Sequence, residues 1–385
     1  MPFSFLRCRR PRLLGAFLPL VCLVAFTTSV AAEEDTLARA KQLISAGLLS
    51  DRTGNYFAAV SQYTAALKIE NKLVNLRNRD KAIAENNLAV ALLALSRLPE
   101  AEQLQKHALT LFESDPVDAD TPLFDALNNL ATIQLRMEKL DAAEQNATRG
   151  LHLATISIGP ESVQVAKLEN TLGCLELHRK NRTASKQHLE TALRIWIKTK
   201  GSDSTQYAAT LTNLGSLEDR AHHRKSAEAQ YRAALRIDEA QLGPNHPQVA
   251  ADLGNIAAEL YGRKQWDEAL QLFARAEAIE EKAFGDDSAA IAATWHRIGI
   301  VNAAAKRFND ADYAYARAIT AFKASSAAGG QEFAQCLREY AGVLRTMQRF
   351  GDAEKTDVLA TRIQVTAALE ADKAAATPST SLAFH

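Results

Sequence analysis

Small residues recur along this chain at a constant step of 42. From Gly47 the step lands on Ala89, Ala131, Gly173, Gly215, Ala257, Gly299 and Ala341. From Ala59 it lands on Ala101, Ala143, Ser185, Ala227, Ala269, Ala311 and Ala353, and from Ala66 on Ala108, Gly150, Ala192, Ala234, Ala276, Ala318 and Ala360. Units counted from Ala40 therefore begin at Ala82, Phe124, Ala166, Ala208, Ala250, Ala292 and Ala334, with Phe124 the one bulky exception. The small columns fall at unit positions 1, 8, 20 and 27. Positions 1 and 8 are about two helical turns apart, as are 20 and 27, so each pair shares a helix face. Bulk sits beside them, at position 7 (Leu88, Leu130, Leu172, Leu214, Ile256, Ile298, Tyr340) and position 24 (Tyr63, Leu189, Tyr231, Phe273, Tyr315). Small residues opposite large ones predict two closely packed helices per unit. Gly159, Gly201, Gly243 and Gly285 follow the same step, and glycine suits the left-handed residue that ends a helix. No alternating strand pattern interrupts the series.

Small residues at 8, 20 and 27 with an aromatic or bulky residue at 24 resemble the tetratricopeptide repeat. The 42-residue step resembles its kinesin-light-chain subgroup, as do Asn213-Leu214-Gly215, the run Ala227 to Leu235 and Leu242-Gly243-Pro244-Asn245-His246-Pro247. The resemblance covers roughly residues 40 to 365. It implies an all-α, right-handed α-solenoid of eight helix-turn-helix repeats that binds other proteins. Ala147 with Gly150 in unit three, and Ser185 in unit four, depart from the pattern, which predicts looser packing or a kink there. Unit eight carries Asp357 and Thr361, the polar outer face an array end needs. The span 40–376 is expected to be the solenoid, its last unit capping, with 33–39 a short linker and 377–385 a disordered tail.

The N-terminus reads differently. Arg7, Arg9, Arg10 and Arg12 precede an apolar run from Leu13 to Phe26, and small residues close the segment at Ser29, Ala31 and Ala32. That layout predicts a secretory signal peptide over 1–32, and a secreted or periplasmic chain. An uncleaved signal that anchors a structural assembly factor to the membrane is the alternative. Lysine plus arginine and aspartate plus glutamate number 45 each, which argues against nucleic acid and against a polybasic membrane surface as partners.

Binding chemistry must lie on the helix face that the stack leaves open. Positions 2, 6, 9 and 13 form one stripe of the first helix, opposite position 8. Position 6 reads Asn87, Asn129, Thr171, Asn213, Asn255, Arg297 and Glu339, and position 5 adds Asn86, Asn128 and Asn170. Asparagine is a mediocre helix former, and its amide offers both a donor and an acceptor to an extended peptide. By resemblance, this stripe lines a concave peptide groove, and Asn87, Asn129, Asn213 and Asn255 form its amide ladder. Bonds to neighbouring side chains, or plain exposure to water, are the alternative. Lys167, Arg136, His178, Arg220 and Arg297, against Asp125 and Glu339, make the middle of the stripe mildly basic, which suits an acidic segment or a C-terminal carboxylate; scattered surface charge is the alternative.

No catalytic constellation, metal-ligand spacing or cofactor motif accompanies the stripe. His222-His223 lies in a turn, and His246 belongs to the Asn245-His246-Pro247 turn. Cys8 and Cys22 fall in the leader. Cys174 and Cys336 lie about four units apart, tens of ångströms at roughly 10 Å per unit, so both are expected as free thiols.

Overall fold

The computed structural model describes residues 36–73, 76–116, 120–325 and 327–376. The expected signal segment (1–32) and tail (377–385) lie outside them. Among the described residues the chain is a series of sixteen helices with no strand, two per unit. Helix α1 spans 36–52, so it begins inside the span expected as a linker. The following helices are α2 (Tyr56–Glu70), α3 (Asn78–Ala94), α4 (Leu98–Ser114), α5 (Thr121–Arg136), α6 (Leu140–Ile158), α7 (Val163–His178) and α8 (Arg182–Thr199). The second half comprises α9 (Thr205–Arg220), α10 (Arg224–Leu242), α11 (Pro247–Gly262), α12 (Trp266–Phe284), α13 (Ala289–Ala304), α14 (Phe308–Ala324), α15 (Gln331–Thr346) and α16 (Phe350–Ala376).

Every member of the four small columns is buried. At position 8 the reason is steric and lies within the unit. A Cβ added at Gly47 would come within 2.4 Å of the Tyr63 ring, at Gly215 within 2.7 Å of Tyr231, at Gly173 within 2.7 Å of Leu189, and at Gly299 within 3.0 Å of Tyr315. Position 8 is thus glycine where position 24 is tyrosine or leucine. Alanine stands there in unit two, where Gln105 takes position 24, and in unit three, where Ala147 does. Units three and four are not loosened. Helix α6 is unbroken, Ala147 is buried, and a Cβ at Gly150 would lie 2.9 Å from Leu168 Cδ2. Ser185 is fully buried because its hydroxyl donates to the Gly173 carbonyl at 2.8 Å.

Two turns alternate. Inside each unit the first helix ends in a left-handed residue at position 15: Gly54, Ser96, Glu138, Lys180, His222, Lys264, Lys306 and Gln348, with φ between 57° and 73°. The next amide donates back five residues, as Arg97 does to Leu92 and Gln265 to Leu260, both at 2.9 Å. This six-to-one bond satisfies a carbonyl that the helix end leaves open. Between units the connection runs through Gly159, Gly201, Gly243 and Gly285, at φ 76° to 92°. At Gly159, Gly243 and Gly285 ψ is 157° to 164°, so the conformation is extended with positive φ rather than left-handed helical. That region is essentially closed to side chains. Ser162, Ser204 and Ser288 then cap the next first helix through their hydroxyls, and His246 caps α11 by accepting from Gln248 N at 3.1 Å.

Successive first helices touch one another directly (α3–α5, α5–α7, α7–α9, α13–α15), besides the contact each makes with the second helix before it. That packing puts first helices on the inner side of the curve. The array end departs from expectation. Asp357 does pair with Arg345, but Phe350, Val358, Val365 and Leu369 of α16 are 53 to 65% exposed. The outer face is therefore half apolar, and with Arg345 and Arg362 it lines a cleft of about 630 Å³.

Candidate peptide groove

The stripe of positions 2, 6, 9 and 13 lies on the inner helices, and its amides are held in a fixed register. Asn129 Nδ2 donates to Asn86 Oδ1 at 3.0 Å, Thr171 Oγ1 to Asn128 Oδ1 at 2.8 Å, and Asn213 Nδ2 to Asn170 Oδ1 at 2.9 Å. His296 Nε2 meets Glu339 Oε2 at 2.9 Å in the same register. Position 6 of one unit thus bonds position 5 of the unit before it. Asn86 also accepts from Gln105 Nε2 at 2.9 Å, and Asn86 Nδ2 in turn reaches Asn87 Oδ1 at 3.4 Å. These amides are rungs between units. Each side-chain nitrogen carries two hydrogens, so a rung uses one.

The charged members divide likewise. Lys167 is tied to Asp125 at 2.8 Å, Arg220 to the Leu177 carbonyl at 3.2 Å, and Arg136 reaches Ser96 Oγ at 3.4 Å. Burial pushes the Glu339 carboxyl up, but hydrogen bonds from His296 and Gln335 outweigh it and hold it below the usual glutamate range.

The ladder stops between units five and seven. Thr212, at position 5 of unit five, donates to Asp252 at 3.2 Å instead. Position 5 of unit six is Gly254, which has no side chain to offer, and Arg297 lies over it with Nη1 3.6 Å from where a Cβ would be. Among the described residues no protein group hydrogen-bonds the Asn255 amide or the exposed Arg297 guanidinium. Beside Arg297 is a cleft of about 120 Å³ lined by Ala258, Tyr261, Phe273, Ile300 and Val301. The sequence stripe contained Asn255, Arg297, Ala258 and Ile300. It missed Phe273, which reads as a core position of unit six, and Tyr261, which at position 12 lies in neither the stripe nor the core columns.

The junction behind this region holds buried acids. Asp238 and Asp252 are fully buried against each other, and Glu280 is buried beside Thr294 and Arg297. Burial first, and the neighbouring carboxyl second, raise the Asp252 carboxyl. Burial raises Glu280 to about 7. Cys174 and Cys336 are both free thiols. Among the described residues no three His, Cys, Asp or Glu side chains gather to hold a metal ion, and no helix is long and apolar enough to cross a membrane.

Comparison with known proteins places this geometry. Tetratricopeptide repeat family models match residues 164–240, 225–279 and 253–324, and a second such model matches 86–114. No curated protein matches the chain by sequence. The structure is similar to a Rap protein complexed with competence and sporulation factor, at TM-score 0.55 and 14% identity over 87% of this chain and 99% of that one. It is similar to BtubC (BKLC) from P. vanneervenii, at TM-score 0.50 and 17% identity over 60% and 91%. A signal transduction ATPase with a tetratricopeptide repeat sensor, from Pyrococcus horikoshii, matches at TM-score 0.51 and 14% identity, with 84% of this chain covering 47% of that one. At these identities the likeness is one of fold. Repeats, helix pairing and family models agree: the chain is a tetratricopeptide repeat protein.

Proposed function

We propose that this protein is a non-catalytic interaction scaffold that binds an extended peptide segment of a partner in its concave groove, seated at units six and seven. The observation that carries this is local: among the described residues no protein group hydrogen-bonds the Asn255 amide or the Arg297 guanidinium, Arg297 lines the Tyr261–Phe273–Ile300 cleft, and Asn255 stands three residues before Ala258 of that lining on the same helix. A buried apolar cleft beside a few convergent polar groups is what a side-chain anchor needs. The Asn255 amide can pair with peptide backbone, and the Arg297 guanidinium with a carboxylate. A ligand with an apolar side chain next to an acidic group or a free C-terminus fits best. Asn87 extends the groove, and Asn129, Asn213, Lys167, Arg136 and Arg220 extend it and chiefly fix its register. The Rap neighbour, described in complex with competence and sporulation factor, supports the idea that this architecture accommodates a ligand.

A peptide display library tests the reading. Wild type should enrich a consistent motif, and Asn255→Ala with Arg297→Ala should not, at an unchanged melting temperature. Equal enrichment by both would refute the seat at units six and seven. Export through residues 1–32 belongs to the same proposal and rests on the charged, apolar and small-residue order of that segment. N-terminal sequencing of protein recovered from cells should begin after Ala31 or Ala32; a start at Met1 would favour the membrane-anchored assembly factor.

A further inference from the structure

The array turns far enough to meet itself. The helix-joining turn of unit one, some two hundred residues upstream in the chain, lies against the connections around unit six. Tyr56 stacks on Phe284 with ring centroids 6.1 Å apart and planes at 11°. The Gly54 backbone sits so close to Pro247 that an added Cβ would fall 2.3 Å from Pro247 Cδ and 3.3 Å from His246 Cδ2. Two clefts follow the seam. One, of about 510 Å³, lies between Thr53–Asn55 and Leu242–Pro247. The other, of about 440 Å³, lies between Phe57 with Ala94–Arg97 and Phe284–Ala290.

Two features of the sequence belong to this seam and not to the repeat. Position 15 is left-handed in every unit, yet only unit one uses glycine there; the others hold Ser96, Glu138, Lys180, His222, Lys264, Lys306 and Gln348. Conformation alone therefore does not require Gly54, whereas the approach of Pro247 does. Position 18 is Phe57 in unit one, where later units carry Pro99, Asp141, Thr183, Lys225, Asp267, Asn309 and Gly351. An aromatic residue is spent at the seam where the repeat otherwise puts a polar or small one. The unit-one turn is also held rigidly, since Tyr63 donates to Asp51 at 2.6 Å and Asn55 caps α2 by accepting from Ala58 N at 3.2 Å.

We propose that this seam is a latch that closes the solenoid into a ring and limits entry to its concave groove. Closed, the ring surrounds the groove, so a segment within a longer partner chain enters only when unit one swings away from units six and seven. The seam is a ring stack and one glycine–proline contact bordered by open clefts, whereas each unit is joined to the next along whole helices. It is therefore the place where the array opens. Such opening reduces apparent affinity and association rate by the fraction of time spent open.

Nitroxide labels on Arg52→Cys and Lys282→Cys, both exposed and on either side of the seam, read the latch directly. Burial raises the thiols of Cys174 and Cys336, so the engineered sites label first. The expected result is a short, narrow distance distribution. Gly54→Lys should lengthen and broaden it with helix content unchanged, because Lys264 and Lys306 occupy the equivalent turn without harm. The paired variant Tyr56→Ala with Phe284→Ala, which adds no bulk, should do the same. A distribution unchanged in either folded variant would overturn the latch. The gating role also rests on the groove reading. A library-selected motif, placed between two folded carrier domains so that it presents no free end, should associate with Gly54→Lys at least about tenfold faster, and equal rates would overturn gating. If no peptide is ever selected, the groove reading fails while the distance distributions still decide the latch.

Discussion

Lys264 shows what a single residue does in this fold. At φ 64° it pays the steric penalty of the left-handed region so that the turn can close its six-to-one bond from Gln265 to Leu260. Lys264→Gly should raise stability by up to about 1 kcal/mol in thermal unfolding, and Lys264→Val should lower it by more, since a β-branched residue fits that region worst. The buried acids act in the opposite sense. The folded protein holds Asp252 and Glu280 protonated at pH values where the unfolded chain has them ionised, so the stability they allow at acid pH is lost as pH rises. For Glu280 the loss runs from the ordinary glutamate range up to about 7. Asp252→Asn and Glu280→Gln should each flatten the fall in melting temperature between pH 5 and 8; a fall as steep as wild type would contradict their protonated burial. The Asn columns were legible as a stripe, and bonds between neighbouring side chains as an alternative, but the register of those bonds was not. Nothing in one unit's sequence tells that position 6 bonds position 5 of the previous unit, because that register depends on how units stack. Asn129→Ala and Asn213→Ala should each cost about 1 kcal/mol by loosening a junction, whereas Asn255→Ala should cost less than half that.

At the level of helices and turns, the chain declares itself through size. Glycine at position 8 opposite tyrosine or leucine at position 24 is a complementarity readable in the sequence, and it places both helices of a unit. Termini were less legible. The glycines between units were visible, but their extended, positive-φ geometry was not, because sequence alone does not separate that conformation from the left-handed one. Nothing lies within 4 Å of a Cβ added at Gly159, Gly243 or Gly285, so backbone strain alone sets the cost of alanine there. Each Gly→Ala should destabilise by about 1–3 kcal/mol, read as a lowered urea midpoint, although no contact is lost. Equal stability would mean that the connection relaxes into another conformation. The serine caps are a milder version: Ser162→Ala, Ser204→Ala and Ser288→Ala should each cost about 1 kcal/mol.

For the molecule as a whole, a repeat of constant length gives a regular superhelix, and curvature then brings distant units together. That consequence was hidden in the sequence. Gly54 and Phe57 break their columns, but the reason appears only once unit one is seen against unit six. The array end was misjudged for a related cause: Asp357 and Thr361 signalled a polar cap, whereas Phe350, Val358, Val365 and Leu369 stand exposed along the same helix. The binding reading depends on a different break in periodicity, the gap in the amide ladder where Thr212 turns to Asp252 and Gly254 offers no side chain, so that Asn255 and Arg297 hold no rung and Arg297 lines an apolar cleft. Its most direct test is the dissociation constant of a library-selected peptide for wild type and for Asn255→Ala with Arg297→Ala. Loss of a charge-assisted bond and an amide pair should weaken binding by about 10- to 100-fold while the melting temperature holds. A dissociation constant unchanged in a folded variant would show that the partner is held elsewhere on the solenoid.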